Sequence, residues 1–289
     1  MIGKAACRGA ATIVNAIATG KGAAFGITLE ADAIVELELG NGDIVLRGSD
    51  EGKDLISGCA RAVATKALGN SKVTGEVHIQ SDIPISRGLK SSSAVSNAVV
   101  LATARALGAS LTDTDLILTG IEESMRAGVT ITGAFDDASA CFFGGAVVTD
   151  NRRFTVLHRG TMDQDLEIIL HVPDRRISKA SVKGLDFSPI VKNVEKALKL
   201  ALAGEYLKAI EVNSRAYAKV LDVSEDIAQI ARKKGALAAG ISGTGPATAI
   251  ICDRAEVGEI LKALQKEEGS VLRAHINDTP AREVVPRLL

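Results

Sequence analysis

Residues 84–98, PISRGLKSSSAVSNA, join two segments of different hydrophobic period, and that junction restricts the chain more than any other stretch. Upstream, Glu76, His78 and Gln80 alternate with Val77 and Ile79, the period of a half-buried strand. Downstream, Val95, Ala98, Val99, Ala102 and Ala106 recur at helical spacing until Gly108 stops the run. Between them stand Gly88, Lys90 and the serines Ser91, Ser92 and Ser93. Such a helix start gathers unpaired backbone N–H groups and the positive end of the helix dipole, here beside a cation and hydroxyls. Phosphate suits it. One serine would be enough to cap the helix, so the full set exceeds that need. There is no G-x-x-x-x-G-K-S/T pattern, so this is not a Walker A loop.

With 289 residues, 46% of them hydrophobic, the chain supplies a full core for one large domain or two smaller ones. A formal net charge of −1, six phenylalanines, two tyrosines and no tryptophan offer neither the basic surface nor the stacking rings that nucleic acid requires. Cys7, Cys59, Cys141 and Cys252 are scattered without CxxC or histidine-spaced pairing, which argues against zinc and against a disulfide framework. A reduced cytoplasm fits. The opening stretch MIGKAACRGAATIVNAIATG has an apolar run, Ala10 to Ala18, that Thr12 and Asn15 interrupt and that is too short to span a bilayer. We expect no membrane span, and a first strand near residue 5.

Gly20, Gly22 and Gly26 are spaced one residue too far for a dinucleotide fingerprint and read as a turn. Val35, Leu37 and Leu39 alternate with Glu36 and Glu38, Asn41-Gly42 turns the chain, and Ile44 to Arg47 returns, which predicts a hairpin. A helix is expected from Asp54 to Leu68, and another from a Thr112/Asp115 capping box to about Ala127. Asp136 and Asp137 then fall in a small-residue loop before a strand at Ala146 to Thr149. Paired carboxylates often only solvate a turn. Beside a phosphate loop they acquire a use, because phosphoryl transfer needs a base for the acceptor and oxygen ligands for a metal.

The second half begins with a continuous apolar strand, Leu166 to Val172, and the charged turn PDRRISK. Ser188-Pro189 predicts a helix start, two further helices follow, and GISGTGPA, residues 240–247, joins two small-residue strands. Its glycines would let backbone approach a ligand closely. Asp253 and Glu256 predict the boxed start of a last helix, ahead of a final strand, Val271 to Ile276. His78, His158, His171 and His275 stand singly in or beside strands and read as packed or surface residues. Strands and helices in mixed order indicate an α+β fold in two lobes, about 1–155 and 156–289.

These loops together resemble the GHMP kinases, which include galactokinase, homoserine kinase and mevalonate kinase. The loop from Pro84 through Ile85, Ser86, Arg87, Gly88, Leu89 and Lys90 to Ser91, Ser92, Ser93 and Ala94 resembles their P-x-x-x-G-L-G-S-S-A motif. Gly243, Thr244 and Gly245 lie in a stretch similar to their C-terminal glycine motif. Asp137 has the family's spacing of a catalytic aspartate to the pair Gly144-Gly145, and Glu123 stands five residues before Gly128, where the family places a magnesium-binding glutamate. Lys4, five residues before Gly9, weakly matches the family's N-terminal lysine. Lys90 replaces a glycine of the motif, and three extra residues separate Glu123 from Asp137. Within the family, GLKSSSA and GAFDDASACFFGG look most like the archaeal-type shikimate kinases.

That resemblance implies a two-lobed GHMP-kinase-like fold with the nucleotide loop at a strand-to-helix junction, and ATP-dependent phosphorylation of a shikimate hydroxyl with Mg²⁺. It implies that the backbone of residues 88–93 holds the triphosphate, with Ser92 or Ser93 and Glu123 on the metal. Asp137 would orient or deprotonate the acceptor, with Lys4 as the other catalytic residue and Asp136 on the substrate. Shikimate carries a carboxylate, for which an arginine fork is the better reader, and Arg175 and Arg176 are the candidates by chemistry alone. Other acceptors in the same fold are homoserine or an isoprenoid alcohol, although the polar DDAS stretch suits a long apolar substrate poorly. A reading from a different class is a nucleotide-binding regulator without turnover. Oligomeric state is not legible in the sequence.

Overall fold

The computed structural model of the chain describes residues 1–47, 51–69, 71–130, 133–175, 177 and 182–287. Strands β1 (Ile2–Val14) and β2 (Lys21–Leu39) form a long antiparallel hairpin. Strands β3 (Ile44–Arg47), β4 (Val73–Ser81), β5 (Ala146–Asp150) and β6 (Thr155–Gly160) complete the first sheet in the order β3-β4-β2-β5-β6, with β1 pairing β2. Beyond β1, the partners of β2 are β5 along Lys21–Phe25 and β4 along Ala31–Leu39. The first strand lies where the sequence puts it.

Two local expectations change. The Asn41-Gly42 turn does not close a hairpin: β3 runs parallel to β4, which separates it from β2. β4 offers β2 a ladder along Ala31–Leu39, longer than the four-residue β3 could, and the Asp43 carbonyl instead accepts from the Gly75 N–H (3.2 Å) and Thr74 Oγ1 (3.0 Å). Gly22 and Gly26 are strand residues of β2 rather than part of a turn, while Gly20 does sit in the bend.

Helices α1 (Lys53–Leu68), α2 (Ser91–Leu107), α3 (Asp113–Arg126) and α4 (Phe135–Phe143) belong with this sheet. The predicted Thr112/Asp115 box caps α3, with the Thr112 hydroxyl accepting from the Asp115 N–H at 3.1 Å. α2 runs antiparallel to β1: Lys90 at its start reaches Thr12, and Arg105 in its last turn donates to the Lys4 carbonyl at 2.7 Å. Small residues meet here: Ala5 and Ala31 of the hairpin and Ala94, Ala98 and Ala102 of α2 are fully buried, and a Cβ on Gly3 of β1 would stand 2.0 Å from the Ala102 carbonyl oxygen. Short side chains let the helix lie close to the strands, and the start of α2 is fixed with it.

The second sheet holds β7 (Glu167–Val172), β8 (Ala238–Ile241), β9 (Thr248–Cys252) and β10 (Ser270–His275), antiparallel in the order β10-β7-β9-β8. With it go α5 (Val191–Leu202), α6 (Tyr206–Leu221), α7 (Asp226–Lys233) and α8 (Val257–Leu264). Ser188-Pro189 opens a 3-10 turn ahead of α5. Asp253 and Glu256 form no side-chain box, because a 3-10 turn at Arg254–Glu256 satisfies the Glu256 N–H with the Asp253 carbonyl. A bridge between Ile27 and Ile276 links the sheets, and the chain end then returns to β2, where Arg287 pairs with Asp32 at 2.8 Å. No helix among the described residues is long and apolar enough to cross a membrane.

All four cysteines are free and buried. Burial pushes the Cys7 thiol up to about 12 and the Cys252 thiol up to about 11, and raises Cys59 and Cys141 as well. Thiolate is the reactive form. A thiol-specific chromogenic reagent should therefore label none of the four in the folded protein and all of them after denaturation; rapid labelling of native protein would contradict the packing.

Candidate active site

Between β4 and α2 the chain bends through three left-handed residues, Ser86 (φ 58°), Gly88 (φ 89°) and Lys90 (φ 65°). Gly88 cannot be replaced without a collision, since a Cβ there would stand 2.0 Å from the Ser242 carbonyl oxygen. That contact is the meeting of the two glycine-rich loops. The Ser242 hydroxyl donates to the Gly88 carbonyl (2.8 Å), and the Ala247 N–H donates to the Arg87 carbonyl (3.2 Å). The backbone bond that closes the first turn of α2 runs from the Ala94 N–H to the Lys90 carbonyl (3.0 Å). The N–H groups of Ser91, Ser92 and Ser93 have no helical partner, as the sequence led us to expect.

A cavity of about 870 Å³ opens at this place. It is large enough for a nucleotide and a small acceptor together. From the first loop it is lined by Pro84, Ile85, Ser86, Gly88, Leu89, Lys90, Ser91, Ser92 and Ser93, and from the second by Gly243, Thr244 and Gly245. Asp136 and Asp137 line it too. They sit in the first turn of α4 rather than in a loop.

Lys90 folds back across the cavity. Its ammonium lies 2.9 Å from Asp137 Oδ1 and donates to Thr12 Oγ1 at 2.7 Å, with the lysine side chain only 5% exposed. Thr12 Oγ1 also accepts the Gly243 N–H at 2.7 Å, and Asn15 Nδ2 donates to the Gly243 carbonyl at 2.8 Å. The adjacent aspartates have different surroundings. Asp137 keeps partial access to the cavity, whereas Asp136 is buried, accepts from Asn151 Nδ2 at 2.8 Å, and presses its other oxygen against Gly22 so closely that a Cβ there would lie 2.1 Å away. Burial first, and the neighbouring Asp137 charge second, push the Asp136 carboxyl up to about 7, against the pull of Lys90 and Asn151.

Several sequence candidates fall elsewhere. Lys4 is eight positions from Thr12 on β1, roughly 25 Å along a strand, and its carbonyl is tied to Arg105 at the far end of α2. The cation beside Asp137 is Lys90, not Lys4. Glu123 does not line the cavity, although its neighbour Ser124 does; it is buried beneath α1, against Gly58, and pairs with Arg126. Arg87 and Ala94 of the first loop also lie off the cavity: the Arg87 guanidinium donates to the Arg175 carbonyl (2.8 Å), and Ala94 is fully buried. Arg175 is exposed and does not line the cavity, and Arg176 lies outside the described residues. Thr12, Asn15 and Asn151 are the site residues that sequence reasoning missed. The signal for the first two was present, since they are the polar interruptions of an apolar run.

A family model described as GHMP kinases N terminal domain matches residues 54–145, and one described as GHMP kinases C terminal matches residues 192–270. A shikimate kinase of Methanococcoides burtonii is 37% identical over 280 residues, covering 96% of each chain. The chain belongs to the GHMP kinase family. A shikimate kinase of Pyrococcus furiosus is 40% identical over 249 residues, covering 86% of this chain and 90% of its own. Two solved structures share the fold of this GHMP kinase. The mevalonate kinase of L. major superposes with a TM-score of 0.76 at 17% identity over 96% of each chain, and the homoserine kinase of Cytophaga hutchinsonii with 0.75 at 17% over 96% of each.

The state of Asp136 has a measurable consequence. Its folded value of about 7 stands above the ordinary 3.8, so the fold favours the neutral carboxyl. That contribution is complete below the unfolded value and is lost as pH rises through the folded one. Between about pH 5 and about pH 8, the melting temperature of the unaltered protein should fall relative to that of Asp136→Asn. Parallel melting curves across that range would show that Asp136 is ionised throughout.

Proposed function

We propose that this GHMP kinase is a shikimate kinase, transferring the γ-phosphoryl group of ATP to the 3-hydroxyl of shikimate in the biosynthesis of chorismate and the aromatic amino acids. The observation that carries the chemistry is the Lys90–Asp137 pair at the start of α2, 2.9 Å apart within the cavity that both glycine loops line. The acceptor rests on the full-length relatives, which are named for it at 37% and 40% identity.

In this reading the free N–H groups of Ser91, Ser92 and Ser93 and the positive end of α2 hold the triphosphate. The apolar side of the cavity, with Leu55, Ile56, Ile79, Ile85 and Val95, takes the adenine. Lys90 donates to Thr12 and Asp137 and keeps its third N–H for an oxygen of the transferred phosphoryl group. Asp137 accepts the proton of the attacking hydroxyl, and Asp136, fixed by Asn151, holds the helix turn that presents it. The Thr244 and Gly245 backbone closes the cavity from the other lobe.

Mg²⁺ belongs to the same proposal. Among the described residues no group of three or more His, Cys, Asp or Glu side chains stands ready to hold a metal. The Ser92 and Ser93 hydroxyls line the cavity and suit an ion that keeps waters and takes its other ligands from phosphate. Bound there, Mg²⁺ would offset phosphate charge during transfer. Glu123 joins this set only by turning from Arg126.

For the shikimate carboxylate we retain Arg175, because Ile177 in the same segment lines the cavity. Arg175→Ala should raise the KM for shikimate several-fold with kcat little changed; an unchanged KM removes it. We also place the protein in the cytoplasm, in keeping with its free, buried cysteines, and expect no nucleic-acid or membrane partner.

An ADP-release assay across shikimate, homoserine and mevalonate tests the reading. Shikimate should be the acceptor that releases ADP, and its failure to do so would refute the assignment. Asp137→Asn should bind nucleotide normally while losing about 10²- to 10⁴-fold in kcat, the usual worth of a positioned base. Turnover equal to the unaltered enzyme would remove Asp137 from that role.

A further inference from the structure

Thr12 carries no assigned role, yet its hydroxyl oxygen accepts from both a cation and a glycine-loop N–H at the site. It is 3% exposed, it lines the cavity, and it stands near the end of β1. Its Oγ1 accepts from the Lys90 ammonium and from the Gly243 N–H, each at 2.7 Å, and its backbone N–H donates to the Ser242 hydroxyl at 3.2 Å. Those partners belong to the loop before α2 and to the loop between β8 and β9. One oxygen thus ties two loops that are far apart in sequence to the end of β1.

The bonds are directional in a way that packing is not. A lysine side chain ends in a rotatable ammonium on four flexible carbons, and an ion pair with Asp137 alone leaves it free to swing about the carboxylate. A second acceptor, Thr12 Oγ1, fixes the position of the nitrogen, and the third N–H is then aimed by difference. The same acceptor holds Gly243, whose Cα is so near that a Cβ on it would stand 3.1 Å from Lys90 Nζ. Moving either donor moves the other.

We propose that Thr12 is a positioning residue whose hydroxyl oxygen sets the Lys90 ammonium against Asp137 and ties that pair to the second glycine loop. This rests on the kinase reading above and goes beyond it, since it assigns to one hydroxyl the alignment of groups that both lobes contribute. Thr12 acts through Lys90 and Gly243. Its methyl group has no part in this.

The test is a pair of Thr12 variants of the full chain with a mutant cycle. Thr12→Val keeps the volume and removes the acceptor; Thr12→Ser keeps the acceptor and removes the methyl. An error of about 1 Å in alignment costs on the order of 100-fold in rate. Thr12→Val should therefore lose about 100-fold in kcat for the acceptor that the unaltered enzyme phosphorylates, with ADP affinity by calorimetry changed far less, while Thr12→Ser stays close to the unaltered enzyme. In a Lys90→Met background the same Thr12→Val change should cost little further, because its main partner is gone.

A Val variant with full turnover, a Ser variant as impaired as Val, or additive losses in the cycle would each overturn the inference. A second readout needs no turnover. In a ¹H–¹⁵N spectrum of lysine-labelled protein, the Lys90 ammonium, identified by its absence from Lys90→Met, should exchange slowly with water in the unaltered protein and in Thr12→Ser, and rapidly in Thr12→Val. If shikimate and every other acceptor fail, the kinase reading falls and this exchange rate still decides the role of Thr12; slow exchange in Thr12→Val overturns it.

Discussion

A lysine ammonium whose side chain is 5% exposed stands only where its charge is matched, and the whole site is arranged around meeting that need. Asp137 supplies the opposite charge and Thr12 a neutral acceptor, so two of three donors are used inside the protein. Burying such a pair contributes little to stability by itself, because desolvation offsets much of the attraction. Its worth is geometric. A cation that is held on two sides faces the same point each time the cavity fills, and electrostatic stabilisation of a transferring group depends on such preorganisation.

The neighbouring aspartates show how one local sequence yields two carboxyls of different character. Asp137 faces the cavity and a cation, while Asp136 turns inward to Asn151 and to the bare backbone of Gly22. Burial, and the Asp137 charge beside it, raise the Asp136 carboxyl from its ordinary value, so the two carboxyls of this helical turn ionise at different pH. Asn151 follows β5, so the strand after α4 reaches back to fix the helix start.

Rigidity on the other side of the site comes from the hairpin and from the chain end. Glu30 and Asp32 are buried carboxylates of β2, and Arg287 reaches both, as well as Asp82 just beyond β4. Asn277 accepts from Arg8 at 2.6 Å, while its carbonyl accepts the Gly145 N–H at 2.8 Å. The C-terminal segment thus holds β1, β2 and the glycine pair after α4 together. With β1 and α4 fixed in this way, Thr12 and Asp137 keep their separation.

What the amino-acid sequence determined by itself was most of the elements and the glycine-and-serine loop that opens α2. Hydrophobic period, helix caps and glycine positions act within a few residues of one another, so β4, the Lys90 and serine loop, α2 and the Thr112 box of α3 were all legible from their own segments. The partners of each functional side chain were not. That Lys90 rather than Lys4 meets Asp137 follows from the antiparallel packing of α2 on β1, which puts Lys90 and Lys4 at opposite ends. That Glu123 faces Gly58 follows from how α3 lies against α1. Thr12, Asn15 and Asn151 join the site because three segments cross at the end of β1, and β3 leaves its expected hairpin because β4 offers β2 the longer ladder. Only tertiary structure decided these pairings, since hydrogen bonds and ion pairs act over a few ångströms of space whatever the distance along the chain.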